Sequence, residues 1–577
     1  MIRPEVMGHP SQLFVLFFTE MWERFSYYGM RALLVMFFTS ALMDGGWGWP
    51  REHAYAIFGT YTSLVYLSTL LGGYVADNKI GYRKAVALGA FLMTLGHGCM
   101  ALETSFFIYA GLGLLVFGSG FFKPSITSMI SEMYKDHSEK KDGAYTIFYM
   151  GVNAGAFLGI LLCGYIGETV GWSLGFGLAG IFMFFGLVQF WFAKVLFGDI
   201  GSEPAKDKSL RKLEEGEDRF NPFTKLELVL CALAATLGLT WIINDPVSKI
   251  SGGETNIVGF LDNVIGDLSG SNVMILTALI LFIAVLVIRI PKYAKVVRDR
   301  MMAVIFFAFI TVFFWAIFEQ APATLTIFAK DYTARGLTGS AGMTFKIINS
   351  LMTIIPLGII TYVLFTLFKK TFQRIGLSNV FLSISFVIIW GIALWMLGTE
   401  FQKEQTNIPA SWFGVLNSLF IITFAPLFSK WWESKYNPNA NMKYAIGMFL
   451  LGLGMAVVAI GSAGIEPGAK TAAVSIFWLV FVYLFHTLGE LCVSPVALSY
   501  VSKLVPGRMI AFMFGMWYIA VAIGMKLAGV FGEMSEGVAA EHGISYFFWI
   551  LTGIAVGLGI FSALFYPVIK KLMHGIR

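Results

Sequence analysis

Charge is scarce in this sequence: Asp, Glu, Lys and Arg together make only 13% of its 577 residues, against 57% hydrophobic. A chain with so little polar surface cannot clothe itself in water, which excludes the ordinary soluble globular protein. Cysteine is nearly missing too. The four present, Cys99, Cys163, Cys231 and Cys492, all fall inside apolar runs without metal-ligand spacing, so they read as packing residues and exclude a disulfide framework. No nucleophile constellation or metal cluster stands out, which leaves a membrane enzyme on lipid-linked substrates the weakest reading. Met1 to Ser11 lacks a basic region, a short apolar stretch and a small-residue cleavage site, so the first apolar segment is expected to be retained. The net charge of +6 does not point to nucleic acid, because Lys and Arg gather in short segments between apolar runs.

Those runs are what the chain has in abundance. Tyr55 to Val75, Ala144 to Ile166, Ser173 to Phe192 and Val273 to Ile288 each approach the roughly 20 residues that cross a bilayer as a helix. Spans are expected at roughly 12–42, 55–77, 84–103, 106–133, 143–166 and 172–197, before a polar linker at 198–221. After it they are expected at roughly 225–243, 272–290, 301–329, 347–368, 378–398, 411–429, 443–463, 473–502, 509–531 and 546–569. The fold class is therefore all-α integral membrane, with about 16 spans and 14 as the alternative. Lys and Arg mark cytoplasmic loops, and they recur in every second one: Lys79, Arg83 and Lys84; Lys135, Lys140 and Lys141; Lys206, Lys208, Arg211 and Lys212; Lys292, Lys295, Arg298 and Arg300; Lys369, Lys370 and Arg374; Lys430 and Lys435; Lys503 and Arg508; Lys570, Lys571 and Arg577. The loop from Asn244 to Asn272 instead holds Asp245, Glu254, Asp262 and Asp267 against a single Lys249. Both termini are expected on the cytoplasmic side.

The first span is abnormal for a lipid-facing helix, since ionisable groups at membrane depth cost several kcal/mol unless paired or hydrated. At about 100° per residue, Glu20, Glu23, Arg24, Tyr27, Tyr28 and Arg31 share one arc of roughly 140°, with Phe18, Trp22 and Leu33 opposite. A structural ion-pair ladder is the bland alternative; a wet functional stripe is the sharper one. Lys123, Glu319 and Glu490 bring single charges to similar depth, and the expected pairings are Arg31 with Glu319 and Lys123 with Glu20 or Glu23. Carboxylates so placed can exchange protons near neutral pH, which is relay chemistry. Lys123 could instead snorkel to an interface, and His97 and His486 read as core histidines before proton carriers. Pro124, Pro322, Pro426 and Pro495 are each expected to interrupt a helix near a polar residue, where broken helices often mark binding sites, or else to be kinks that packing tolerates.

Glu20-Met-Trp-Glu-Arg-Phe-Ser-Tyr-Tyr-Gly29 closely resembles the signature of the proton-dependent oligopeptide transporter family, a branch of the major facilitator superfamily. Gly73-Tyr-Val-Ala-Asp-Asn-Lys-Ile-Gly-Tyr-Arg-Lys84 is similar to the superfamily loop between the second and third helices, Phe121-Phe-Lys-Pro124 to the fourth-helix lysine motif, and Phe148-Tyr-Met-Gly-Val-Asn-Ala-Gly155 to the fifth-helix motif. Phe318-Glu-Gln320, Trp412-Phe-Gly-Val-Leu-Asn-Ser-Leu-Phe420, Gly489-Glu-Leu-Cys-Val-Ser-Pro495 and Trp517 with Lys526-Leu-Ala-Gly529 resemble family helices seven, eight, ten and eleven. The resemblance implies a major facilitator fold of two six-helix bundles, 1–197 and 301–577, joined by a linker and inserted helix pair at 198–300. A second inserted pair near 347–398 has no counterpart in the family pattern, and Ser418 stands where the family commonly has proline after Asn417.

It also implies import of di- and tripeptides with protons across a bacterial inner membrane by alternating access, with no cofactor besides the coupling proton. The functional unit is expected to be a monomer in membrane lipid. Arg31 and Lys123 would hold the peptide carboxylate, Glu490 and Asn417 its amino group, and Asn153 its backbone. Tyr27, Tyr28, Tyr66 and Trp517 would line side-chain pockets, with Ser494 in the same peptide-binding set. Glu20, Glu23, Arg24, Lys123 and Glu319 would couple protons, and Arg31 with Glu319 would form a gating ion pair. The alternative is symport of another small anion, such as nitrate or a carboxylate.

Overall fold

A segment in hydrocarbon has no water to satisfy its backbone, so a spanning chain resolves into helices that bond internally. The protein follows this rule in a computed structural model that describes residues 5–135, 140–203, 222–266, 268–504 and 510–576. The linker residues Lys206, Lys208, Arg211 and Lys212, together with Asp267, Arg508 and Arg577, lie outside these. A short antiparallel ribbon, β1 (Glu5–Val6) with β2 (His9–Pro10), leads into α1 (Ser11–Thr39), α2 (Arg51–Val75), α3 (Tyr82–Met100), α4 (Ser105–Met133), α5 (Lys141–Thr169) and α6 (Trp172–Ala193). Next come α7 (Lys225–Ile250) and α8 (Gly270–Arg289), then α9 (Lys295–Phe318) and α10 (Thr324–Tyr332). Strand β3 (Gly336–Leu337) enters the long α11 (Gly339–Gln402), which leaves through β4 (Thr406–Asn407). The chain ends in α12 (Val415–Glu433), α13 (Ala440–Gly461), α14 (Phe477–Leu504), α15 (Ile510–His542), α16 (Ile544–Leu564) and the short α17 (Tyr566–Leu572). The chain is thus an all-α membrane protein: among the described residues, 13 helices are long and apolar enough to cross a bilayer.

Helix association in lipid relies on close backbone approach at small residues. Helix α1 lies on α5 along Gly151, Gly155 and Gly159, one every turn; a Cβ at Gly155 would sit 2.1 Å from the Met21 carbonyl oxygen, and one at Gly159 2.2 Å from that of Phe25. The same device joins α2 to α15, where a Cβ on Gly59 would stand 2.8 Å from Cα of Gly529. Helix α1 consequently sits in the middle of the protein, and its flank opposite the charges is tiled by aromatic rings, with Trp22 stacked on Phe182 at 4.6 Å.

The pair α7 and α8 is anchored at α2 and α15 by buried charges. Lys526, only 1% exposed, pairs with Asp245 and donates to Thr60 Oγ1 at 2.9 Å; Asp245 also meets Lys249 at 2.6 Å, and Lys249 pairs with Glu533. Lys526→Ala strips Asp245 of its most buried partner, and breaking a buried pair in this way costs about 3 kcal/mol. The thermal midpoint in detergent is therefore expected to fall; a midpoint equal to that of the unsubstituted protein would show the pair to be idle.

Helix α11 is two helices folded back at Ile375 (φ −133°, ψ 44°), one residue beyond the basic cluster at Lys369, Lys370 and Arg374 where the sequence places a turn. Trp390 Nε1 donates to Thr361 Oγ1 at 2.9 Å across this hairpin. Although it is inserted between α10 and α12, it docks on α6: Ser378 donates to the Gln189 carbonyl at 2.7 Å, and Phe381 stacks on Phe192 at 5.8 Å. Its other flank presents Leu351, Ile355, Ile359 and Tyr362, exposed as lipid-facing side chains are.

At three of the four prolines the structure corrects the expected interruption and shows the tolerated alternative. Pro124, Pro426 and Pro495 lie inside helices that continue past them, because neighbouring helices hold the local backbone. Pro322 alone of the four falls in a break, at residues 319–323, which divides the expected single span 301–329 into α9 and α10. There the freed carbonyl of Ala321 accepts from Tyr483 Oη at 3.2 Å and from Thr326 Oγ1 at 2.8 Å.

Candidate functional site

The helical period places the charges of α1 on one side, and the fold turns that side toward α4, α9 and α14. At one level, Arg24 Nε lies 2.6 Å from Glu20 Oε1 and 3.1 Å from Glu23 Oε2, with the two carboxylates 1% and 0% exposed. Two turns further on, Arg31 Nη1 meets Glu319 Oε2 of the α9–α10 break at 2.8 Å, the pairing expected from sequence. This is a direct link between α1 and the C-terminal part of the chain.

Lys123 is not where the sequence reading puts it. Among the described residues no carboxylate lies within ion-pair distance of its amine; instead Nζ sits 4.1 Å from the centroid of Tyr27 and 5.3 Å from that of Tyr66. The reason is local. Arg24 shares a helix with both glutamates, one turn from Glu20 and adjacent to Glu23, so it reaches them before a lysine from another helix can. Lys123 still feels the charges of Glu20, Glu23, Arg24 and Arg31 at longer range. Arg31 in turn lies over Tyr28 at 4.8 Å and Tyr27 at 5.5 Å, so Tyr27 separates two cations.

An anionic pole faces them. Glu490 of α14 accepts from Asn417 Nδ2 of α12 at 2.9 Å, and the same amide donates to Thr487 Oγ1 at 3.0 Å. Glu490 feels the charges of Glu319 and Arg31. Ser494 is half-buried one turn beyond Glu490, and Trp517 is buried beside Tyr518, whose ring stacks on Tyr66 at 6.3 Å. Asn153 is buried with its amide nitrogen bound to the Tyr149 carbonyl of its own helix at 2.9 Å. Both oxygens of Glu23, Oε2 of Glu20, and the hydroxyls of Tyr27 and Tyr61 are buried without a hydrogen-bond partner among the described residues. Buried groups of this kind are normally satisfied by water or ligand, which fits a solvated chamber better than a structural ladder. His97 and His486 are buried, and neither ring has a hydrogen-bond partner among the described residues, as in a core histidine; His486 lies one turn before Glu490 on α14.

A second layer, unexpected from sequence, lies at the end of the bundle where α1 finishes. Arg51 at the start of α2 pairs with Asp331 at 2.7 Å and Glu536 at 3.4 Å, and donates to Tyr332 Oη at 3.3 Å. Lys330 donates to Ser40 Oγ at 3.0 Å. The available signal was an Arg at one span end and an acidic pair at two others, which only a fold can bring together.

Comparison with known proteins places the chain by family and fold. A family model described as the POT family matches residues 83–212 and 383–550. The peptide transporter YePEPT of Yersinia enterocolitica subsp. palearctica is 31% identical over 536 residues, covering 91% of this chain and 88% of the relative. A di-/tripeptide transporter of Lactococcus lactis subsp. cremoris is 28% identical over 579 residues, covering 99% of this chain and 98% of its own. The crystal structure of a POT family transporter in complex with a thioalcohol conjugated peptide superposes with a TM-score of 0.71 at 25% identity, covering 99% of each chain.

Proposed function

The chain belongs to the POT family, and from that premise we propose that it imports di- and tripeptides with protons, the substrate held between the Arg31–Lys123 pole and the Glu490–Asn417 pole. It is a proton-coupled peptide transporter working by alternating access, and not an enzyme. One observation carries the substrate assignment: cations and a hydrogen-bonded carboxylate are set on different helices around shared tyrosines, the pattern that holds a zwitterion by its two ends. Tyr27, Tyr28, Tyr66 and Trp517 line the space for peptide side chains, Ser494 lies on the Glu490 face, and Asn153 contacts the peptide backbone once its amide turns from Tyr149.

Glu20, Glu23, Arg24 and Lys123 exchange the proton, with Glu319 taking part as its pair with Arg31 breaks. The chain divides into bundles at 1–197 and 301–577, with a linker and inserted pair at 198–300 and a second inserted pair near 347–398. It crosses the membrane 16 times. Both termini are cytoplasmic, the membrane is a bacterial inner membrane, and one copy surrounded by lipid is the functional unit. In that orientation Arg31–Glu319 and Arg51–Asp331 close the outer side. The purified chain in proteoliposomes is expected to accumulate a labelled dipeptide when an inward proton gradient is imposed, and to lose that accumulation when a protonophore is added. Undiminished accumulation with the protonophore present sinks proton coupling.

A further inference from the structure

The outer end of α5 grips the chain just before α12 begins. Residues 410–414 form a turn of 3₁₀-helix that runs into α12 without a break, and Asn417 is the third residue of that helix. Glu168 of α5 accepts from the backbone N–H of Ala410 at 2.7 Å, and from the N–H and hydroxyl of Ser411 at 2.9 and 2.5 Å. One turn back on the same helix face, Gly164 leaves room for Ser411: a Cβ there would meet Ser411 Oγ at 2.2 Å. One further turn back, the carbonyl of Leu161 accepts from Trp412 Nε1 at 2.8 Å, while the Trp412 ring stacks on Tyr165 at 5.9 Å. Positions 161, 164, 165 and 168 form a single helical stripe, and all four engage residues 410–412.

We propose that Glu168 is a positioning residue for the peptide amino group: by holding the 410–412 turn, α5 fixes the start of α12 and so aims Asn417 at Glu490. The inference rests on the reading of Asn417 and Glu490 as the amino-group pole. It adds that this pole is assembled from outside its own bundle. Glu168 belongs to the first half of the chain and its three donors to the second, so the grip exists only while the outer ends of α5 and α12 are together. Opening the outer side takes all three bonds from the carboxylate and frees the first turn of α12. The amino-group pole is then complete when the outer side is closed and loosened when it is open. A carboxylate suits this task, since two oxygens accept three donors at once.

The test measures binding of dialanine and of N-acetyl-dialanine, which lacks the free amino group, to the full-length protein. Glu168→Ala is expected to weaken dialanine about tenfold, the effect of losing one charge-assisted contact at the pole, while N-acetyl-dialanine is unchanged. Glu168→Gln keeps one acceptor oxygen for Ser411 and should recover part of the loss. Gly164→Ala removes no donor or acceptor but displaces Ser411 from Glu168, and should reproduce the selective loss. Equal weakening of both ligands in Glu168→Ala and Gly164→Ala would reduce Glu168 to general support and overturn the proposal, as would an unchanged dialanine affinity in both. An unsubstituted protein that binds dialanine no better than its acetylated form fails at the earlier step, the peptide reading itself.

Discussion

Glu23→Gln is expected to abolish proton-driven accumulation of a labelled dipeptide in proteoliposomes while leaving dipeptide exchange across the same membrane. The charge count around Arg24 is the reason. Two buried carboxylates share one guanidinium, at 2.6 and 3.1 Å, and Lys123 is within electrostatic range without touching either. Among the described residues neither oxygen of Glu23 accepts a hydrogen bond, so a proton can arrive on Oε1 while Arg24 stays at Oε2. Gln has the shape of a protonated Glu and the same lack of charge, but cannot release a proton. The variant therefore keeps the arrangement in which loaded carrier moves between the two sides, and exchange needs only that. Net accumulation also requires the empty carrier to give up its proton and return. Accumulation at the unsubstituted level in Glu23→Gln would remove Glu23 from the coupling machinery and leave Glu20 as the group to test.

How much of this was legible beforehand depends on distance along the chain. The stripe on α1 follows from helical period alone, and α1 indeed lies centrally with Glu20 and Glu23 buried. The hairpin turn near Arg374 was visible because basic residues interrupt an apolar run, and the fold places it at Ile375. Of the two pairings expected between helices, Arg31 with Glu319 is the one seen among the described residues, since few opposite charges lie at that depth. The expected pairing of Lys123 is absent among the described residues because Arg24, on the same helix as Glu20 and Glu23, already occupies both carboxylates. Of the four prolines only Pro322 falls in a break, while Pro124, Pro426 and Pro495 are of the tolerated kind, and local sequence alone does not tell the two apart. Arg51 with Asp331 and Glu536, and Glu168 with residues 410 and 411, join helix ends hundreds of residues apart. No periodicity reports such contacts. The docking of the α11 hairpin on α6 was equally hidden, because its buried face is largely apolar with scattered polar residues such as Asn349, Thr353 and Ser378, and reads the same whichever helix it covers.

Glu490→Ala should weaken dipeptide binding by about 100-fold, the range found when one partner of a buried, hydrogen-bonded charge contact is truncated. Asn417 would lose its acceptor at 2.9 Å and keep only Thr487, and the positive end of a bound zwitterion would face no carboxylate at this pole. The same variant separates the two substrate classes that the cationic pole alone allows. Arg31 and Lys123, flanking Tyr27, suit any small anion, a peptide carboxylate or nitrate alike. Only a substrate with a second, positive end has use for Glu490. Competition of unlabelled dialanine, nitrate and acetate against a labelled dipeptide, in the unsubstituted protein and in Glu490→Ala, reads this directly. If dialanine competes in the unsubstituted protein and loses its advantage in the variant, both poles act on one ligand. If nitrate or acetate competes as well as dialanine and Glu490→Ala changes nothing, the transported species is a simple anion and the carboxylate of α14 has another task.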